Sequence, residues 1–182
     1  MKALLILAMA SVLVVSGCIS STSQATKNQT QNDTLPADLN IGLNIGQIAP
    51  DFSLQDPEYG TISKATFQGK PLFIFFTTIW CVPCQVGAQS LVKYDDERGG
   101  NAFNVLIVFV DDNEMDRLLL NWKRNFGRED WYVAKGAEMA KTYQVQYLDT
   151  KYVLDRQGVT KWIDTKPLGY SIAKAVLEPL LE

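Results

Sequence analysis

Two of the chain's three cysteines, Cys81 and Cys84, are separated by two residues in Trp80-Cys81-Val82-Pro83-Cys84. Such a pair can close into a disulfide, open into a dithiol or supply half of a zinc site. The chain has no histidine, which removes the commonest metal ligand and the commonest general base together. Zinc takes about four ligands, and no second Cys-x-x-Cys is present, so no metal site and no cofactor are expected. A copper chaperone is disfavoured for the same lack of histidine. A static disulfide is compatible with an oxidising compartment, but a loop closed between near neighbours restrains the unfolded chain little.

Position favours redox chemistry over a static bridge. The pair follows the apolar run Leu72-Phe73-Ile74-Phe75-Phe76, whose apolar character on both faces fits a central strand. A helix is expected to begin at Cys81 or just after it. Amides and the macrodipole at a helix start stabilise a thiolate. Cys81 is therefore expected to attack, and Cys84, one turn inward, to resolve. Trp80 is read as an apolar substrate contact or as simple packing. Pro83 removes a donor and stiffens the loop.

The flanking elements follow from periodicity. Phe52-Ser53-Leu54 alternates like a half-buried strand, and Thr61-Ile62-Ser63 returns after the turn signals Asp56-Pro57 and Tyr59-Gly60. Val86, Ala88, Leu91 and Val92 are expected on the inner face of the helix after the cysteines, weakened at Gly87. Val105 to Val110 reads as a second buried strand. Met115, Leu118, Leu119, Trp122 and Phe126 then recur at helical spacing as core, with caps offered by Asp111, Asp112 and Asn113. A short strand at Trp131-Tyr132-Val133 and a short helix over 137–142 come next. Tyr152-Val153-Leu154 and Val159 to Ile163 flank a hairpin turn at Gly158. A last helix from about Tyr170 is expected to be disturbed by Pro179. Strand, helix, strand demands a parallel crossover, and the hairpin adds antiparallel strands.

The chain has 182 residues, 47% of them hydrophobic, and a formal net charge of −3. That is material for one core. No Lys/Arg-rich block tracks nucleic acid phosphates. Lys2, the apolar run 3–15 and the small residues Ser16 and Gly17 lead to Cys18, the pattern of an export signal. The run is shorter than the roughly 20 residues a spanning helix needs. Residues 19–40 are rich in Ser, Thr, Gln and Asn, so this segment is expected to be a disordered tether. Asn28 and Asn32 open sequons that such a composition produces by chance.

Val15-Ser16-Gly17-Cys18 resembles a prokaryotic lipobox, which implies lipid on Cys18 and cleavage before it; the other reading is an ordinary signal peptide with a chance cysteine, or an uncleaved anchor. The stretch Phe73 through Cys84 resembles the strand and active-site loop of the thioredoxin superfamily. Ala49-Pro50-Asp51-Phe52-Ser53-Leu54 and Gly69-Lys70-Pro71 are similar to its exported TlpA-like and ResA-like branch, which overlaps the alkyl hydroperoxide reductase/thiol-specific antioxidant family. Tyr143-Gln144-Val145 and Tyr152 through Gly158 resemble the same pattern. The resemblance implies an α/β thioredoxin-like fold, three layers α/β/α around a central mixed sheet, with an N-terminal β-hairpin extension. With the export signal, the lipobox resemblance and the polar composition of 19–40, the expected layout is signal peptide at 1–17, lipidated Cys18 and linker at 18–40, and thioredoxin-like domain at 41–182. The family resemblance further implies thiol-disulfide exchange on the extracytoplasmic face of the membrane, with disulfide-containing exported proteins as substrates and an upstream thiol as electron donor.

Three positions depart from the family. Asp149, followed by Thr150, stands where the family has a cis-proline before threonine. A cis bond before a non-proline residue costs about 3–4 kcal/mol, so a trans or rebuilt loop is expected, with Asp149 turned to solvent or facing Cys81. Gly87 stands where a Glu is common, and Phe75 where thioredoxin itself has a buried Asp. Two other functions stay open. A peroxiredoxin-type peroxidase is suggested by Thr78 three residues before Cys81, but Ile74 sits where its proline would be. A thioredoxin-like binding lipoprotein with a static disulfide is suggested by the lost proline and acids.

Overall fold

The computed structural model describes residues 40–182. The signal segment, Cys18, both sequons and nearly all of the tether lie outside the described residues.

The sheet is built on β3 (Leu72–Thr77), buried along its whole length. On one side it pairs in parallel with β4 (Asn104–Phe109), which pairs in parallel with β5 (Tyr132–Lys135). On the other it pairs antiparallel with β6 (Thr150–Leu154), and β6 with β7 (Thr160–Asp164). The order is β5-β4-β3-β6-β7. A separate antiparallel hairpin, β1 (Ser53–Asp56) and β2 (Gly60–Ser63), forms the N-terminal extension.

Alternation along β3 assigns the two cores, because successive side chains leave a strand on opposite faces. Phe73 and Phe75 point into one core with Cys84, Ala88 and Leu91 of α1 (Val82–Glu97), Leu119 and Trp122 of α2 (Asp116–Phe126), and Ala173 and Leu177 of α4 (Tyr170–Leu181). Leu72, Ile74 and Phe76 point into the other, with Leu54, Ile62, Phe67, and Met139 and Ala140 of α3 (Ala137–Thr142). Helices thus cover both faces of a mixed sheet; the parallel and antiparallel pairings are those the crossover and hairpin demanded, and the three-layer thioredoxin-like arrangement is the one the resemblance implied.

Several local expectations change. Val86 is 57% exposed, because the buried stripe of α1 runs through Cys84, Ala88 and Leu91, two residues out of phase with it. Met115 is 50% exposed and is the N-cap of α2 in extended backbone, not part of its buried face. Asp111 to Asn113 do not cap α2: Asp111 Oδ1 accepts from the Asn113 amide at 3.0 Å, and Asp112 Oδ1 accepts from Ala137 at 3.2 Å. Pro179, expected to disturb α4, lies inside it, and the helix continues to Leu181. The proline falls in the last turn, where a missing N–H costs only one helical bond.

Candidate active site

β3 carries the chain to one end of the sheet, at the C-terminus of its central strand, and the turn Thr78-Ile79-Trp80 leads it into α1. The Cys81 amide donates to the Thr78 carbonyl at 3.3 Å, and the Gln85 amide donates to the Cys81 carbonyl at 3.1 Å, opening the helix. Gln85 Nε2 holds the Ile79 carbonyl at 2.9 Å. Cys81 is the N-cap, and Pro83 lies in the first turn, where a missing N–H would be unpaired anyway. Cys81 and Cys84 form a disulfide with their Cα atoms 5.3 Å apart. Cys84 is fully buried and Cys81 is 6% exposed, so the outer sulfur is the one a partner can reach. At a helix N-terminus its thiolate would meet the positive end of the macrodipole.

The disulfide opens on a cleft of about 530 Å³. Trp80, Cys81, Val82 and Pro83 form one wall, and Leu148, Asp149, Thr165 and Pro167 the other. Trp80 is 66% exposed and Val82 62%. The packing reading of Trp80 is thereby corrected: the indole stands free at the rim, as an apolar contact surface would. The cleft is mostly apolar, with Asp149 its one acidic lining residue.

The loop facing the disulfide is rebuilt. There is no cis peptide bond among the described residues, and Asp149 adopts φ 68°. This left-handed conformation costs an ordinary L-residue about 1–2 kcal/mol, less for Asp. The Asp149 amide donates to the Phe76 carbonyl at 3.1 Å, prolonging the β3–β6 pairing by one bond. Its side chain is not turned to solvent. Asp149 is 5% exposed, and its Oδ1 accepts from Lys151 Nζ at 2.8 Å. Burial raises the carboxyl above its ordinary value, against the lowering effect of Lys151. Burial likewise lowers the Lys151 ammonium, against the effect of Asp149. Thr150 does not line the cleft. Its hydroxyl donates to the Tyr147 carbonyl at 2.7 Å and shapes the loop from behind.

The two missing acids are one packing event. A Cβ on Gly87 would meet Leu168 Cβ at 3.2 Å and the Phe75 ring at 3.4 Å. The Phe75 ring thus fills the space toward which a side chain at 87 would grow.

Two site groups escape sequence reasoning. Lys151 lies in an otherwise uncharged strand, where alternation would turn a lysine to solvent. Glu114 sits in a polar loop with nothing to mark it, yet it is 7% exposed, and its Oε1 accepts from the Ile79 amide at 2.8 Å. It therefore holds the turn that presents Cys81. Burial raises its carboxyl, opposed by the bond from Ile79. Glu114→Ala is expected to cost about 1–3 kcal/mol in chemical denaturation, because a part-buried amide loses its acceptor. A carboxyl raised in the folded state stabilises below its unfolded value, and that contribution is lost as pH rises through the folded value. The native protein should therefore gain more stability than Glu114→Gln as pH falls from neutral toward the ordinary carboxylate range. Melting temperatures across that range will show it.

Fold and disulfide together define a thioredoxin-like protein. Residues 45–163 match the AhpC/TSA family, and the chain belongs to it. It is 31% identical over 118 residues to the thiol-disulfide oxidoreductase ResA of Bacillus thuringiensis subsp. konkukian and to that of Bacillus cereus. The match covers 63% of this chain and 65% of each relative's length. The fold is similar to that of a putative thiol:disulfide interchange protein DsbE from Chlorobium tepidum, with TM-score 0.65, 20% identity, and coverage of 78% of this chain and 100% of that one. A thio-disulfide isomerase from Thermus thermophilus gives TM-score 0.64 at 20% identity, covering 75% and 96%.

Proposed function

We propose that the chain is a membrane-tethered, extracytoplasmic thiol-disulfide oxidoreductase that reduces disulfides of exported proteins. The observation that carries it is the Cys81–Cys84 disulfide at the head of α1, its outer sulfur opening on an apolar cleft rimmed by exposed Trp80. The likeness to ResA supports the reaction type, and Lys2 through Cys18 supports export and tethering by lipid on Cys18.

The Cys81 thiolate attacks one sulfur of the substrate disulfide. That S–S bond breaks, a mixed disulfide forms, and the leaving substrate thiolate takes a proton from solvent. Cys84, having lost its proton, then attacks the Cys81 sulfur. The second substrate thiol leaves, and the Cys81–Cys84 disulfide is restored with two electrons transferred. An upstream dithiol donor returns those electrons. The peroxidase reading loses support from Thr78, which is buried and does not line the cleft.

Two measurements test this reading. The reduced protein should consume the disulfides of an added disulfide-bonded protein one for one, and turn over with a dithiol donor; no loss of substrate disulfide would overturn the reading. Full-length chain should fractionate with membranes and Cys18→Ala should not. Equal partition of the two would overturn the tether.

A further inference from the structure

We propose that Lys151 is a positioning residue of this reaction: its buried ammonium holds the Asp149 carboxylate on the cleft wall facing Cys81, and the charge balance of that pair sets how readily Cys81 ionises.

The placement begins in the sheet register. Lys151 on β6 lies directly opposite Phe75 on β3, so its side chain enters the core that contains Cys81, Cys84 and Phe75. Its side chain is fully buried, and Nζ lies 5.1 Å from the Phe75 ring centroid. Lysine is almost never fully buried unless paired. Here all three ammonium hydrogens have acceptors: Asp149 Oδ1 at 2.8 Å, the Lys166 carbonyl at 2.8 Å and the Asp149 carbonyl. Lys166 lies between Thr165 and Pro167. One ammonium therefore ties together both segments of the cleft wall opposite Trp80, and also holds the carbonyl of the residue in left-handed backbone.

The chemistry follows from where the charges lie. Gly87 and Phe75 leave no carboxylate on α1 or β3 near the disulfide. Asp149 is the acidic residue lining the cleft with Cys81, and Lys151 its direct counter-charge. The other ionisable groups near this end are Asp164 on β7, felt by both members of the pair, and Glu114 beneath Ile79. A bare carboxylate beside Cys81 would oppose its thiolate, and a bare ammonium would favour it. Paired, they nearly cancel, and Cys81 ionises as the helix terminus dictates. Because stabilising the thiolate stabilises the reduced form, the pair also sets the poise of the dithiol.

The inference rests on Cys81 as the exchanging thiol, and the test separates the two claims. Asp149→Asn keeps an acceptor for Lys151 and a residue tolerant of positive φ, but removes the negative charge. Lys151→Met removes the positive charge with an apolar side chain of similar length. The readouts are the pH profile of Cys81 alkylation in reduced protein and the equilibrium with glutathione. Asp149→Asn should shift the alkylation profile to lower pH and favour the dithiol about tenfold, about 30 mV toward oxidising. Lys151→Met should shift both the other way, and the double variant should return near the native values. If Lys151→Met does not fold, the sign of the Asp149→Asn shift decides alone. Native values in Asp149→Asn, or shifts of the same sign in both single variants, would overturn the proposal and leave Lys151 a purely structural clamp. A pair that never equilibrates with glutathione would instead overturn the exchange reading, while the alkylation profiles would still report on the ion pair.

Discussion

Cys84→Ser will accumulate a mixed disulfide through Cys81, and Cys81→Ser will lose exchange altogether. The asymmetry follows from burial. Cys81 is the sulfur exposed at the cleft, whereas Cys84 has no accessible surface and packs with Ala88 and Leu91 under the sheet. A substrate sulfur can reach the first and not the second. With the resolving thiol gone, the intermediate has no internal nucleophile and waits for an external one. Removing the attacking thiol should cost on the order of a thousandfold or more, the scale seen when an enzyme loses its nucleophile. Mass spectrometry of reduced variants mixed with a disulfide-bonded protein will show the adduct in Cys84→Ser alone. An adduct through Cys84 in Cys81→Ser, at a comparable rate, would reverse the assigned roles.

Gly87→Glu, which writes the family's frequent acid back into this chain, will destabilise the protein by about 3 kcal/mol or more rather than restore a proton relay. Position 87 lies on the buried stripe of α1, with Leu168 and the Phe75 ring within contact of where a Cβ would stand. Overpacking alone costs about 1–3 kcal/mol, and an unpaired carboxylate in that apolar layer adds to it. Gly87→Ala should show the steric part alone. Paired with Phe75→Ala, the Glu substitution should lose part of its penalty, because the ring that excludes the side chain is gone. Denaturant midpoints of the three variants measure this directly.

The legible parts of the molecule are those where local pattern and tertiary role agree. β3 announces itself by an apolar run on both faces, the hairpin turn by Arg156-Gln157-Gly158 between two strands, whose glycine takes φ 80°, and α3 by its span of 137–142. The cysteine pair was legible because a strand before it and a helix after it left few geometries. Val86 and Met115 misled because an apolar residue near a helix is not thereby on its inner face: each stands on an exposed side near the chain's turn into the helix. Asp149 was half legible. Its departure from proline could be read from the residues, and the rebuilt trans loop follows from the cost of a cis bond. Its burial could not, since it depends on Lys151, two residues on, turning into the core from β6, and on the Lys166 carbonyl from a different loop that helps hold that ammonium. Glu114 was illegible for the same reason: its partner, the Ile79 amide, lies 35 residues away.

Cys81 and Cys84 act as a working redox pair and not as a fixed brace. Equilibrating the protein in graded glutathione buffers, then counting alkylated thiols by mass, tests this most directly. A working pair gives a single reversible transition between zero and two free thiols, with a midpoint above the roughly −300 mV below which structural disulfides lie. A disulfide that stays closed at that potential, with no alkylated species formed, would contradict it and leave the thioredoxin-like fold as a binding scaffold.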